Sequence, residues 1–414
     1  MRQIHQRKEI NLTEQNEKIR VDHLTKIFGP HITKAKELLA EGKSKEEILA
    51  ATGSTVGIDN ANFSINENEI FVIMGLSGSG KSTLLRMFNR LIEPTTGAIY
   101  VDGKNTNQLD KEGLLNLRRK KMSMVFQNFA LLPDRTVLEN AAFGLEVQGV
   151  EKAEREQKAH ESLEMVGLHG YDEMLPRELS GGMQQRVGLA RAITNDPDIL
   201  LMDEAFSALD PLNRRDMQNE LLELQYKLHK TIIFISHDLN EALRIGDRIL
   251  MMHNGEIVQI DTPEDLLTHP KNDYVRKFIR NVDRSQILTA GNVMVKPTTV
   301  NIEKDGPKVA LRRMNNDQIS SIFVVDNHHQ LVGLLDADDV NELIKSGNRD
   351  LRSIVKTDVP TTKADVALST LLQKISKSPI PYSVIDDHGE FKGIILRSVI
   401  LEAISTTESG DDNE

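Results

Sequence analysis

Gly75-Leu76-Ser77-Gly78-Ser79-Gly80-Lys81-Ser82 meets the pattern G-x-x-x-x-G-K-[ST] at every fixed position. It follows an apolar run, Ile70-Phe71-Val72-Ile73-Met74, that reads as a buried strand, and it opens a helix predicted from Thr83 to Leu91. Glycines let the backbone curl so that successive N–H groups point at phosphate oxygens. The helix N-terminus adds its partial positive charge at the same spot. Within the binding stretch Gly75 to Thr83, Lys81 is placed to neutralise the β- and γ-phosphates of a nucleoside triphosphate. The Ser82 hydroxyl is placed to ligate Mg²⁺. A plain Gly/Ser turn is the bland account, and the specificity of the motif weighs against it.

Two further apolar runs, Ile199-Leu200-Leu201-Met202 and Thr231-Ile232-Ile233-Phe234-Ile235, have the same buried-strand character, with a helical pattern from Asp216 to Lys230 between them. Strands alternating with helices predict a parallel α/β sheet. Asp203-Glu204 closes the first of these runs, at the sheet edge where open α/β folds bind their ligands. Asp203 is the candidate partner of Mg²⁺, directly or one step removed, and Glu204 the candidate to align or deprotonate an attacking water. Taken alone, an acidic pair after a strand is a solvated turn. The phosphate loop upstream shifts the reading toward catalysis.

Leu179-Ser180-Gly181-Gly182-Met183-Gln184-Gln185 precedes a helical pattern that ends near Asn195. Ser180 suits a helix N-cap. A cap needs only the serine, so Gly181-Gly182 point to close approach by an anion, a second phosphate-binding helix end.

Toward the N-terminus, Ile19 to Phe28 reads as a first strand, and residues 1–20 as a polar, loosely ordered tail. Lys34 to Ala51 shows two helical stretches broken at Gly42, with Gly53 as a stop. Near Asp283 the composition changes and an internal repeat begins. Val324-Val325-Asp326 with Gly333 recurs as Val384-Ile385-Asp386 with Gly393, and Val309-Ala310-Leu311 as Val366-Ala367-Leu368. Each copy reads as helix, strand, turn, strand, helix, and residues 405–414 as a disordered acidic tail.

The whole chain, 414 residues with 39% apolar and 27% charged, has the make-up of a soluble multi-domain protein. Its net charge of −11 offers no basic footprint for nucleic acid. Without cysteine it has neither disulfides nor thiolate metal sites, which suits a reducing compartment. Met1 to Gln6 carries no apolar core of a signal peptide, and no run of about 18 apolar residues exists to span a membrane. A role in transport would therefore need other subunits for the pore.

Phosphate loop, Leu179–Gln185 segment and acidic pair, in this order, resemble ABC ATPases over roughly residues 20–270. The resemblance implies that Leu179 to Gln185 is the signature motif, with Ser180 and Gly182 contacting the γ-phosphate of ATP held by a second copy, and Gly181 and Gln184 in the same segment. Gln127, in Phe126-Gln127-Asn128, matches the Q-loop, which senses Mg²⁺ and faces the transmembrane partner. Ser207-Ala208-Leu209-Asp210 matches the D-loop, and His237 the switch histidine. Phe28 resembles the aromatic residue on which adenine stacks; by itself a phenylalanine at a strand end is more often a core residue.

In most ABC ATPases a short hairpin leads from that aromatic residue to the phosphate loop. Here a helical insertion, about His31 to Val56, intervenes. With a C-terminal tandem CBS module and the segments Phe71–Leu85 and Leu201–Leu212, it makes the chain similar to ATP-binding subunits of glycine betaine/proline osmoprotectant importers. The insertion's lysines Lys34, Lys36, Lys43 and Lys45 are balanced by Glu37, Glu41, Glu46 and Glu47, the pattern of a solvated helical pair.

Residues 287–345 and 348–405 resemble two CBS repeats, modules that often bind adenine nucleotides. At the ribose-contacting positions the first copy carries Asp336 and Asp339; the second has Leu396 and Val399 and has lost both polar groups. The resemblance links such a module to ionic-strength sensing and to cyclic di-AMP. Lys374, Lys377 and Lys392 form a candidate basic stripe for anionic lipid or a dinucleotide, the alternative being a purely structural dimerisation module.

The fold class so implied is α/β: a P-loop NTPase domain of the ABC type with a helical subdomain, then an α+β tandem CBS module. The expected divisions are tail 1–20, ATPase 21–283, CBS repeats 284–345 and 346–405, and tail 406–414. The expected function is ATP hydrolysis that drives osmoprotectant import, from the cytoplasmic face of the membrane. Expected partners are a second copy, permease subunits with a substrate-binding protein, and anionic lipid, with no nucleic acid. The alternatives are import of another small solute, or a sensor module in which hydrolysis is secondary.

Overall fold

A strand with no polar residue must be covered on both faces, and this governs the architecture around Ile70–Met74. The computed structural model describes residues 16–280 and 288–400. The change in composition at Asp283, the first residues of the tail and the acidic tail lie outside them. The chain divides between Ile279 and Arg280 into two compact units.

In chain order the first unit contains β1 (Glu17–Phe28), α1 (Ile32–Ala40), α2 (Lys45–Thr52), β2 (Thr55–Asn66), β3 (Ile70–Gly75) and α3 (Lys81–Phe88). There follow β4 (Thr96–Val101), β5 (Lys104–Asn105), α4 (Lys111–Asn116), β6 (Met122–Val125), α5 (Val137–Val147), α6 (Lys152–Met165) and α7 (Gly181–Ile193). The unit ends with β7 (Ile199–Asp203), α8 (Pro211–Leu228), β8 (Thr231–Ile235), α9 (Leu239–Ile245), β9 (Arg248–His253), β10 (Glu256–Asp261), α10 (Pro263–Thr268) and α11 (Asp273–Ile279).

The strands form a six-stranded sheet, β10-β9-β3-β8-β7-β6, parallel except for β10. Every residue of β3, β7 and β8 is buried, as the apolar runs require. A second, antiparallel sheet, β2-β1-β4-β5, packs against it. Ile19, Leu24, Ile58 and Ile99 join Phe71 and the apolar face of α3 (Leu84, Leu85, Phe88) in one core. Helices α5, α6 and α7 pack on one another as a helical layer.

Three boundaries differ from expectation. Strand β1 starts at Glu17, inside the expected tail, because Lys18 is buried (8% exposed) and paired with Asp102 at 2.7 Å and Asp198 at 3.2 Å. Helix α3 starts at Lys81 and stops at Phe88, since Gly80 turns into the left-handed region before it and Arg90 after it. Helix α8 begins at Pro211, where the Asp210 carboxylate accepts the amides of Leu212 and Asn213.

The insertion is the expected helical pair. Ser44 and Glu47 make a capping box at α2, and Gly53 ends it at φ 66°. Ala35 and Ile48 bury against Ile27 and Val56, so the pair is fastened to β1 and β2.

The second unit contains α12 (Ala290–Val293), β11 (Thr299–Asn301), α13 (Pro307–Asp317), β12 (Ser321–Val325), β13 (Leu331–Asp336), α14 (Ala337–Lys345), β14 (Thr361–Thr362), α15 (Leu368–Lys377), β15 (Tyr382–Ile385) and β16 (Phe391–Ile395). Each half forms a three-stranded sheet, β11-β12-β13 and β14-β15-β16, opening with a short parallel strand that the repeat pattern does not reveal. Val324 faces Gly333 as Val384 faces Gly393. A Cβ on Gly333 would fall 2.4 Å from the Lys356 carbonyl, and one on Gly393 2.8 Å from the Val295 carbonyl. Each half thus seats its glycine against the other's backbone, which explains why this residue recurs.

Candidate functional site

Sheet order determines the site. The loops that leave β3, β8, β7 and β6 emerge side by side from the C-terminal edge of one parallel sheet. They carry, in turn, the phosphate loop, His237, Asp203-Glu204 and Gln127.

The phosphate loop cannot tolerate side chains at its fixed glycines. Gly75 sits at φ 148° with the Met252 carbonyl 2.3 Å from where its Cβ would be, and Gly80 at φ 101° with the Gly57 carbonyl at 2.5 Å. Gly78 needs only its φ of 79°. Leu76 and Ser77 are exposed on the loop's rim. No side chain caps α3, so the amides of Lys81, Ser82 and Thr83 at its first turn are left for a ligand. Lys81 is 6% exposed, and its amine donates to the carbonyls of Gly75 at 2.9 Å and Leu76 at 3.1 Å. Burial lowers its pKa, and Glu204 and Asp203 oppose that shift. The buried Ser79 hydroxyl has no partner. Uncapped helix, orphaned hydroxyl and buried amine together fit a nucleotide's phosphates.

Ser82 donates its hydroxyl proton to Asp203 at 3.0 Å, bringing together two hard oxygen groups of the kind Mg²⁺ takes. Arg86, one turn along α3, donates to the other Asp203 oxygen at 3.3 Å. Gln127, expected beside them, is hydrogen-bonded elsewhere, donating to Glu204 at 3.3 Å and Ser207 at 3.2 Å. The His237 Nδ1 stands 3.6 Å from the same Glu204 oxygen that Gln127 meets. Glu204 itself sits at φ 49°, with the Ser207 hydroxyl on its carbonyl at 2.9 Å. A non-glycine residue in the left-handed region stores strain that accumulates at functional sites. The turn thereby aims one carboxylate at two neighbours.

Ser180 caps α7 by accepting the Met183 amide at 3.4 Å, and Gln184 donates to the carbonyls of Pro176 and Leu179. Neither Gly181 nor Gly182 has positive φ, and added Cβ atoms would meet only ordinary contacts, at 3.9 and 3.7 Å. Nothing within the chain requires glycine there. Asp210 grips Asn213, both amide and side chain, and these hydrogen bonds hold its pKa below the usual range.

Phe28 is 40% exposed, with Lys26 over its ring at 4.9 Å. A Cβ on Gly57 would lie 2.9 Å from the ring, and the Gly57 carbonyl borders Gly80. The ring therefore stands on the approach to the phosphate loop rather than in a core.

Two residues escaped the sequence. Arg86 follows Ser82 at i+4, a helical spacing that places both on one face and was available as a signal. Ser207 was part of the D-loop match but its bonds to Gln127 and Glu204 had no local cue. In the second unit Asp336 and Asp339 both pair with Lys356, the latter at 2.9 Å, and these contacts raise the lysine's pKa. Lys392 is held by Asp386 at 3.1 Å and Glu390 at 2.8 Å, which removes it from the expected basic stripe.

A helix-opening glycine loop, a buried amine and a strand-end carboxylate pair on one parallel sheet define a P-loop nucleoside triphosphatase. Residues 58–207 match the ABC transporter family and residues 290–346 the CBS domain family. The glycine betaine/carnitine transport ATP-binding protein GbuA of Listeria monocytogenes is 58% identical, over 94% of this chain and 98% of that protein. The glycine betaine transport ATP-binding protein OpuAA of Bacillus subtilis is 55% identical over 96% and 94%. A solved dimeric bacterial ABC transporter cassette, MJ0796, is 34% identical with a TM-score of 0.50, over 59% of this chain and 98% of its own. The same cassette has been solved with ADP and Pi bound. The chain belongs to the ABC transporter family and is an ATP-binding subunit of it. Among the described residues no helix is long and apolar enough to cross a membrane.

Proposed function

We propose that this chain hydrolyses ATP to drive import of quaternary-ammonium osmoprotectants of the glycine betaine class. One observation carries the reading: relatives similar along nearly the full length are betaine transport ATP-binding proteins.

The loop amides and Lys81 bind the β- and γ-phosphates, and Phe28 stacks on the base. Ser82, Asp203 and Gln127 would hold Mg²⁺, which when bound would supply positive charge against that developing on the phosphates. Glu204 orients the attacking water and accepts its proton, while His237 and Gln127 fix the carboxylate from two sides. Positioning and preorganised charge around the γ-phosphate lower the barrier. Two copies close head to tail, so that Ser180, Gly181 and Gly182 of one approach the γ-phosphate bound by the other. The glycines, which nothing within the chain requires, support this arrangement. Gln184 serves it by holding the loop that presents Ser180, and Asp210 by its grip on Asn213, Gly182's neighbour.

Permease subunits dock, in this reading, on a groove of about 260 Å³ that includes Leu91, Phe126, Phe143 and Arg191. Leu91 is 54% exposed, an apolar anchor awaiting cover. The chain then sits on the cytoplasmic face of the membrane, and a substrate-binding protein delivers the solute to the permease. Residues 21–283 form the ATPase, and 284–345 and 346–405 the paired CBS repeats, the second supported by its matching strand order. Lys356 neutralises the carboxylates that a ribose would need, so regulation through cyclic di-AMP or anionic lipid must use other groups.

Replacing Phe28 with Ala is expected to weaken ATP binding roughly tenfold, by loss of stacking, and GTP binding similarly. Unchanged affinity in a nucleotide titration would return Phe28 to a packing role. The test of function is ATPase activity with the membrane partners in anionic liposomes, scanned against salt with and without betaine and its binding protein. Salt-activated, betaine-stimulated hydrolysis is expected. Hydrolysis indifferent to both would sink the substrate assignment and leave the ATPase standing.

A further inference from the structure

Lys45, the first residue of α2, presents a physical anomaly. Its ammonium has essentially no solvent-accessible surface and no hydrogen-bond partner. Burying a charge without a partner is among the more costly arrangements in a fold. Asp59 and Glu256 act on it electrostatically, but neither carboxylate reaches hydrogen-bond distance. The surroundings are built firmly enough to make accident a poor account. The Ser44–Glu47 capping box fixes the start of α2, and Ile48 buries one turn on.

Where the ammonium lies is informative. A Cβ on Gly255 would fall 2.4 Å from it and 2.6 Å from the Gly57 carbonyl. Gly255 donates its amide to the Ser79 carbonyl at 3.0 Å, which ties this turn to the phosphate loop. Gly57 borders the Phe28 ring on one side and Gly80 on the other. Lys45 therefore stands beside the Gly255 turn, next to Gly57, which borders both the aromatic platform and the glycine loop. With the base on Phe28 and the β- and γ-phosphates in the loop, the span between them is the sugar and the α-phosphate.

We propose that Lys45 is a nucleotide-binding residue supplied by the insertion, its ammonium serving the sugar–α-phosphate segment of ATP. The inference rests on nucleotide binding at the phosphate loop as proposed above. A lysine's flexible stem lets the ammonium swing toward a phosphate oxygen, where a charge-assisted hydrogen bond replaces an unsatisfied donor. The insertion then becomes part of the nucleotide site, with helix α2 as the arm that carries a cation to it.

The experiment measures dissociation constants for MgATP and MgADP, and thermal midpoints, on the full chain with Lys45, Lys45→Met and Lys45→Arg. Lys45→Met is expected to weaken both nucleotides by about tenfold and to the same extent, because the α-phosphate is common to them. Its midpoint without nucleotide should be no lower than that of the parent, since an unpaired buried charge is gone. Lys45→Arg should bind both nucleotides nearly as the parent does. Unchanged affinity in Lys45→Met overturns the proposal, as does a loss confined to ATP or a lowered midpoint shared with Lys45→Arg. If the parent chain itself binds neither nucleotide, the phosphate-loop reading fails, and this inference with it.

Discussion

Glu204→Gln is expected to lower ATP turnover at least a hundredfold while leaving nucleotide affinity within about threefold of the parent. The substitution preserves shape and keeps the left-handed backbone at φ 49° no more strained than before. It removes the negative charge that meets Gln127 at 3.3 Å and His237 at 3.6 Å. A glutamine cannot accept the proton of an attacking water, and general bases contribute on the order of 10² to 10⁴ in rate. The phosphate loop is untouched, so ATP still binds and two copies still close on it. With hydrolysis blocked, the closed dimer should accumulate with ATP and separate without it, which size-exclusion chromatography reads directly. Normal turnover by the purified variant with its membrane partners would remove Glu204 from the catalytic role.

Much of this site was legible because its parts are local. A phosphate loop is a spacing of residues, and its flanking strand and helix are recognisable from a run of five apolar residues and the shift to helical periodicity. The strands β7 and β8 announced themselves in the same way, and with them the sheet edge that collects Asp203, Glu204 and His237. The antiparallel sheet was mostly hidden. Its longest pair, β1 and β2, slips register four times, with His23 and Asn60 in the left-handed region, and each bulge breaks the alternation that identifies a strand. The insertion's helices showed through the break at Gly42 and the stop at Gly53.

Illegible features are those decided by distant neighbours. Lys45 looks like one of several lysines balanced by glutamates, and only the approach of Gly57 and Gly255 makes it a buried cation. Lys392 looked available until its own hairpin supplied Asp386 and Glu390. Asp336 and Asp339 stand where the repeat pattern puts them, yet their charge is answered by Lys356 from the following segment. In each case the charge is visible in the sequence and its partner is set by tertiary structure.

Lys81→Met should separate the stability of the chain from its affinity for nucleotide. The Lys81 amine is buried and its direct hydrogen bonds go to two neutral carbonyls, at 2.9 and 3.1 Å. Burial pushes its pKa down despite Glu204 and Asp203 nearby, so the charged form is held at a cost to folding. For a lysine with a lowered folded pKa, that cost is present at neutral pH and is relieved as pH rises above the folded value. Methionine fills similar space without the charge, so the midpoint of the nucleotide-free variant should equal or exceed that of the parent. Affinity must move the other way. A hydrogen bond to a charged group contributes about 1.5–3 kcal/mol, so ATP should bind roughly 10- to 150-fold more weakly. At an ATP concentration a hundred times the parent's dissociation constant, linkage stabilises the parent by about 2.7 kcal/mol. A hundredfold weaker variant gains only about 0.4 kcal/mol under the same conditions. Thermal denaturation with and without MgATP therefore reads both quantities in one experiment. A variant whose midpoint drops without nucleotide, yet rises as much as the parent's on adding it, would assign Lys81 to packing and leave the loop amides alone to hold the phosphates.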